Sequence, residues 1–345
     1  MLKKILLQLT LLTGSVLVAL FISELIIRSF IPVRNVGPVF STYSEIYGKR
    51  LKTSFSARRY TPEFEMTITT NRFGFRGPDP EYTPENAVLF LGDSFTMGYG
   101  VNDGEEFPEL IRIALNQKYG EDVIPVINAG IGNNGNGRWV KFLEKEATRY
   151  NPQLVILQPL NNDFSDNISE DLYSLSDNGD LTENDVPPPS FMRKVQSFID
   201  YKPLLEYSYL LALVKQTITH SRAQNNQPNA ADNKVNQKEN SQPNIQPNEL
   251  LTLKLIERAI VLCKEKGWPV KVLIIDLEGA RLRAVQDLLS RHGVQGITLP
   301  KKSEHPDHYY KYDGHWNAAG HRHAADQILK SIENDLSANN NITTN

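Results

Sequence analysis

A three-layer α/β/α domain built on a parallel sheet, preceded by one membrane-spanning helix, is the fold class this sequence predicts. Three observations lead there. From Ala87 onward, short and almost wholly apolar runs alternate with stretches of helical periodicity, the pattern of parallel strands covered on both faces. Those runs end in small and polar residues, where open α/β sheets carry their ligand crevice. And the chain opens on a basic pair followed by a long apolar run.

The bulk properties set limits. A chain of 345 residues buries one large core or two modest ones. With 40% apolar and 22% charged residues and a net charge of −3, it has the make-up of a globular protein and no basic footprint for nucleic acid. The single cysteine, Cys263, excludes an intramolecular disulfide and a thiolate metal cluster. Its neighbours on the helix pattern make it a small buried apolar residue rather than a nucleophile.

Taken in order, Lys3 and Lys4 precede the apolar run 5–23, closed by Glu24 and Arg28. At 1.5 Å per residue that run spans about 28 Å, close to the hydrocarbon thickness of a bilayer. An uncleaved anchor and a cleaved signal peptide compete here. The run lacks a clean small-x-small cleavage site, and the only cysteine lies far away, so the expectation is a signal anchor over 1–30. The two lysines place the amino terminus inside and the body of the protein extracytoplasmic. Residues 31–86 are expected to be linker and lead-in, with a strand at 64–70 and a turn at Asn71-Arg72-Phe73-Gly74-Phe75-Arg76-Gly77-Pro78 that packs a hairpin on the edge of the main domain.

The main domain is expected over 87–336. Strands are predicted at Ala87-Val88-Leu89-Phe90-Leu91, 123–128, 154–157, 270–276 and 294–299. Helices are predicted over 105–119, 139–150, 191–219, 250–266, 281–292 and 317–336. Within 221–248, thirteen of 28 residues are Asn or Gln; such a segment cannot bury enough surface to offset its ordering entropy and is expected to be a disordered insertion. A disordered tail is expected over 337–345.

Chemistry enters at the strand ends. Gly92-Asp93-Ser94 breaks the first apolar run and leaves a serine at the carboxyl end of a buried strand. Far downstream stands Tyr312-Asp313-Gly314-His315-Trp316. A nucleophilic serine needs a base near neutral pH, and that base needs an acceptor to fix its tautomer. His315 and Asp313 can supply both from one loop, their side chains pointing the same way if it is extended.

These blocks resemble the SGNH (GDSL-like) hydrolases, in particular their membrane-anchored extracytoplasmic relatives. Gly92-Asp93-Ser94 is similar to the first block, Asn128-Ala129-Gly130-Ile131-Gly132 to the second, Asn161-Asn162-Asp163 to the third and Asp313-Gly314-His315 to the last. The resemblance covers about 87–335 without the middle excursion. It implies a flavodoxin-like SGNH hydrolase fold and a triad of Ser94, Asp313 and His315. It also implies an oxyanion hole from the N–H of Ser94, the N–H of Gly132 and the side-chain amide of Asn162. Three positions depart from the pattern. Leu160 stands where a glycine is usual, a strict count in the second block falls on Asn133 rather than Gly132, and one residue rather than two separates Asp313 from His315.

The function implied is a serine esterase or deacylase, without metal or cofactor, that acts through an acyl-serine on an ester of a small molecule or of an envelope or extracellular glycan or lipid. An O-acyltransferase acting on an envelope polysaccharide, and a non-catalytic envelope scaffold, are the alternatives. Plainer roles compete for single residues. Asn162 can cap a turn, Arg138 and Trp139 can line a cleft or simply pack, and His321 and His323, two apart, cannot share a helix face. His305 and His308 flank Pro306-Asp307, but a metal site lacks a third ligand there.

Overall fold

The computed structural model describes residues 1–225 and 247–340. Most of the segment expected to be disordered, and the end of the tail, lie outside these residues. The chain divides into two compact units. One comprises Met1–Val39, Arg58–Glu65 and the described part of Val195–Asn240; the other holds Phe40–Ala57, Met66–Lys194 and the described residues from 247 onward.

The first unit is built around α1 (Leu2–Phe30), which is longer than the apolar run that predicts it. Its most apolar window has a mean hydropathy of 2.4 and no buried share, so α1 is long and apolar enough to cross a membrane. Its last turns are different. Ile27 packs in a small apolar cluster with Val33, Val36 and Ala212. The Glu24 carboxylate accepts from Ser208 Oγ at 2.9 Å and from the N–H groups of Tyr209 and Leu210 at 2.8 and 2.9 Å. These are unpaired donors at the start of a helix, which a carboxylate caps well. The single helix expected over 191–219 is broken into three, α6 (Phe191–Ile199), α7 (Pro203–Glu206) and α8 (Tyr209–Asn225). Tyr201 at φ 64 and Pro203 enforce the first break.

The second unit carries the sheet. It begins with the hairpin β1 (Ser41–Ser44) and β2 (Gly48–Leu51). The chain then forms β3 (Phe55–Tyr60), whose last three residues count with the first unit, and β4 (Glu65–Thr70), whose first residue does; in β4 alternate residues are buried, Met66 and Ile68 completely. Five strands then form one parallel sheet: β5 (Val88–Gly92), β6 (Val126–Asn128), β7 (Leu154–Gln158), β10 (Val270–Ile274) and β11 (Gln295–Thr298). Their spatial order is β11-β10-β7-β5-β6, and every pairing is parallel. Between them run α2 (Ser94–Met97), α3 (Phe107–Tyr119), α4 (Gly137–Lys145), α5 (Asp163–Glu170), α9 (Pro247–Glu265) and α10 (Gly279–Arg291). A small hairpin, β8 (Tyr173–Leu175) with β9 (Leu181–Glu183), follows α5, and α11 (Ala318–Asn340) closes the described chain.

The strands alternate between two cores, which is why they read as continuous apolar runs. Leu89, Leu91, Val155, Leu157 and Val272 pack with α4, α9 and α10. Val88, Phe90, Leu154, Ile156 and Leu273 pack with α3 and α11. The fold is therefore α/β with three layers, as the sequence predicts. Cys263 is buried in the first core, and burial pushes its thiol up to about 12, which makes it inert.

His321 marks the second core. It is fully buried on α11, and its Nδ1 accepts from the Phe107 N–H at 3.3 Å, the first turn of α3. Burial, with Arg76 nearby, pushes its pKa down to about 3. A depressed value means the unfolded chain takes up a proton that the folded one refuses. The stability this residue contributes is present above its ordinary pKa of 6.5 and is lost as pH falls towards 3. Urea unfolding from pH 7 to 4 should therefore weaken more steeply in the natural protein than in His321→Gln, by up to about 1.4 kcal/mol per pH unit for one proton. Parallel curves are the contrary result.

Candidate active site

The candidate site collects on loops that leave the carboxyl ends of β5, β6 and β7, joined by the loop before α11. At the end of β5, the backbone turns directly into the single turn α2, capped by Asp93, and Gly98 at φ 82 ends it. Gly92 has no room for a side chain: a Cβ there would lie 2.2 Å from Thr96 Oγ1 and 2.7 Å from Gln158 Oε1. Gln158, on the neighbouring strand, accepts from the Asp93 N–H and from Thr96 Oγ1. Ser94 is thus held on a tightly packed strand-to-helix turn.

His315 reaches it from more than 200 residues away. Its Nε2 stands 2.7 Å from Ser94 Oγ, and its Nδ1 stands 2.5 Å from Asp313 Oδ1. The side chains of His315 and Asp313 are about one-fifth exposed, at 23% and 20%, so the group is accessible and still partly shielded. The loop is not extended, as the sequence reading supposes. Gly314 takes φ +89 with open space around it, and this left-handed bend brings the Asp313 carboxyl onto the imidazole across one residue. A non-glycine side chain would meet backbone strain there rather than a clash.

The loop is fixed on both sides. Tyr310 N–H donates to the His315 carbonyl at 2.9 Å, and Tyr309 and Trp316 form an antiparallel bridge. Tyr310 OH donates to the Gly100 carbonyl at 2.8 Å. Phe95 and Tyr99, on the nucleophile's own segment, lie 5.1 and 4.9 Å from the His315 ring.

The expected oxyanion donors are gathered but engaged. The Ser94 N–H donates to Asp93 Oδ1 at 2.5 Å, and Asn162 Nδ2 donates to Asp93 Oδ2 at 2.5 Å and to Asp166 Oδ2 at 2.8 Å. Burial raises the pKa of Asp93, opposed by the bonds from Asn162 and Ser94 and by Lys49. Burial likewise raises Asp166 and Asp163, each with Asp93 adding to the rise. Gly132 stands beside the nucleophile, its Cβ position 3.6 Å from Ser94 Cβ. Asn133, the alternative in that block, adopts φ 51.

Sequence reasoning missed Lys49. From β2 its ammonium donates to the carbonyls of Gly132 and Asn133 at 2.6 and 2.5 Å. Burial, with Arg138 beside it, lowers its pKa to about 8, opposed by Glu170 and Asp93. A lone lysine in a short strand carries no signal of this. Arg138 and Trp139 both border a small cavity beside Tyr47 and Lys49, and Arg138 is held there: it is buried, donates to the Tyr47 and Asn134 oxygens and pairs with Glu170. Trp139 is core. By clamping the two carbonyls, Lys49 orients the backbone of the loop at Gly132. Lys49→Met is expected to lower kcat for an ester about 10-fold with a smaller change in KM, short of the 10²–10³ lost with a donor itself. An unchanged kcat is the contrary result in steady-state kinetics.

No protein-family model and no curated protein matches the chain. Among solved structures, it is similar to the psychrotrophic esterase EstA from Pseudoalteromonas sp., at 12% identity over 73% of this chain and 100% of that one, with a TM-score of 0.43. It is also similar to the acetyl xylan esterase AlAXEase, at 15% identity over 71% and 99%, with a TM-score of 0.41. A catalytic mutant of Axe2, an acetylxylan esterase from Geobacillus stearothermophilus, shares 14% identity over 73% and 96%, with a TM-score of 0.39. Likeness this distant brings no activity with it. The case for function stands on the side chains.

Proposed function

We propose that the chain is a serine esterase of the SGNH type, which hydrolyses a carboxylic ester through an acyl-Ser94 intermediate. The observation that carries the reading is the hydrogen-bonded series Asp313, His315, Ser94. His315 Nε2 takes the Ser94 proton as Oγ attacks the ester carbonyl, and Asp313 holds Nδ1 in the donor tautomer and stabilises the imidazolium. His315 then passes the proton to the leaving alcohol. Water repeats the sequence in reverse on the acyl-enzyme.

The developing oxyanion needs donors, and the Ser94 N–H and Asn162 amide are the candidates, with a backbone N–H at Gly132 beside them. The first two are held by Asp93, so the oxyanion must take them over from that carboxylate. The substrate proposed is an ester on an envelope or extracellular glycan or lipid, with α1 as an uncleaved anchor and the catalytic unit outside the cytoplasm. The apolar length of α1 and its folded last turns support retention of the anchor.

Short-chain nitrophenyl esters and a fluorophosphonate probe test the chemistry. Purified full-length protein should release nitrophenol and should label at Ser94 alone. Folded protein that neither turns over the ester nor reacts with the probe would overturn the reading.

A further inference from the structure

On the side of α11 away from its buried histidine, three imidazoles meet. A short 3₁₀ turn, Pro306–His308, precedes the loop of the candidate base. Residues three apart in such a turn eclipse one another, and the rings of His305 and His308 accordingly stack at 4.7 Å with planes 7° apart. His323, on α11, brings its ring to 5.4 Å from His305 and 5.0 Å from His308. Ligand atoms of His305, Asp307 and His308 lie within 4.8 Å of one another. His323 Nε2 is shut off from solvent and makes no hydrogen bond, which is costly for a polar atom unless something else occupies it.

We propose that His305, His308 and His323, with Asp307, form a site for a divalent transition-metal ion of the zinc type. The third histidine, absent from the sequence pattern, comes from a helix turn two residues beyond buried His321. Imidazole nitrogens and one carboxylate are the donor set that zinc, cobalt and nickel take, rather than magnesium or calcium. Asp307 is 77% exposed, so its side chain is free to turn inward. Bonds of about 2.0–2.2 Å draw the ligands closer than they now stand, by rotation of their side chains.

The site is independent of the ester chemistry, since neither Ser94 nor His315 takes part. It does border that loop. The His308 carbonyl accepts from Asn317 N–H at 2.9 Å, and the Asp307 carbonyl accepts from Asn317 Nδ2 at 2.7 Å. A bound ion would brace both ends of the segment that carries Asp313 and His315.

The test uses full-length protein in detergent, carrying no polyhistidine tag and stripped with chelator. Zinc chloride is titrated by calorimetry, and cobalt chloride by visible absorption. The expected result is one ion per chain, a ligand-field band with cobalt, and affinity at least 10-fold weaker in His308→Ala and in His323→Ala. If either variant fails to fold, His305→Gln, which keeps the turn intact, is expected to weaken binding in the same way. No saturable binding at micromolar zinc overturns the proposal, and so does binding that the variants leave undiminished.

Discussion

Ser94→Ala should abolish ester turnover, lowering kcat by at least about 10⁴-fold, while leaving the thermal midpoint unchanged. The size of the loss follows from the roles assigned: removing the nucleophile of a serine triad leaves only what binding and the oxyanion donors contribute. Stability should be spared because Ser94 Oγ bonds His315 and supports no other element. Asp313→Asn should approach the same loss, because an amide no longer enforces the Nδ1–H tautomer. The two residues act as one unit, so the double variant should be little worse than Ser94→Ala alone. Rate losses that simply multiply, or a Ser94→Ala protein that still turns over nitrophenyl acetate, would count against the triad.

Arg76→Met should destabilise the fold by about 3–5 kcal/mol, the range for removing one partner of a buried ion pair. The Arg76 side chain is fully buried and pairs with Glu106, buried to 1% exposure, and with Asp103. Its guanidinium also donates to the carbonyls of Met97, Gly98, Val101 and Thr67. Its own N–H donates to the Asn128 carbonyl. One side chain therefore ties β4 to the segment after Ser94, and its backbone adds the end of β6. Burial already raises the pKa of Glu106, with Arg76 opposing it, so loss of the guanidinium leaves an acid that must protonate or remain unpaired. Glu106→Gln should recover part of the loss in the double variant. Denaturant midpoints settle it: a loss under 1 kcal/mol is the contrary result.

What the sequence discloses and what it hides divide along physical lines. The strands at 88–92 and 154–158 were legible because both faces are buried, leaving unbroken apolar runs. The pairing of Ser94 with His315 was legible because each stands at an element boundary in a residue setting that chemistry explains. The employment of Arg76 was not: the turn 71–78 reads as edge packing, and only tertiary structure shows that its second arginine is interred. Lys49 was silent for the same reason, since a short strand gives no hint of which loop lies over it. The engagement of Asn162 with two carboxylates was equally hidden, because sequence gives the donor and not its partner. In the helical region after 191, the apolar spacing gave no sign of the breaks at 200–202 and 207–208; backbone at positive φ and a proline decide the first.

The clamp of Glu24 on the start of α8 has a practical consequence for anyone wishing to crystallise this protein free of detergent. The last two turns of α1 belong to a folded body, through Ile27 and through the carboxylate that caps Tyr209 and Leu210. Trimming at residue 30 would strip both and leave greasy side chains and bare amides in water. Trimming a full turn upstream of Glu24 keeps them, and gives the better chance of a soluble, monodisperse preparation.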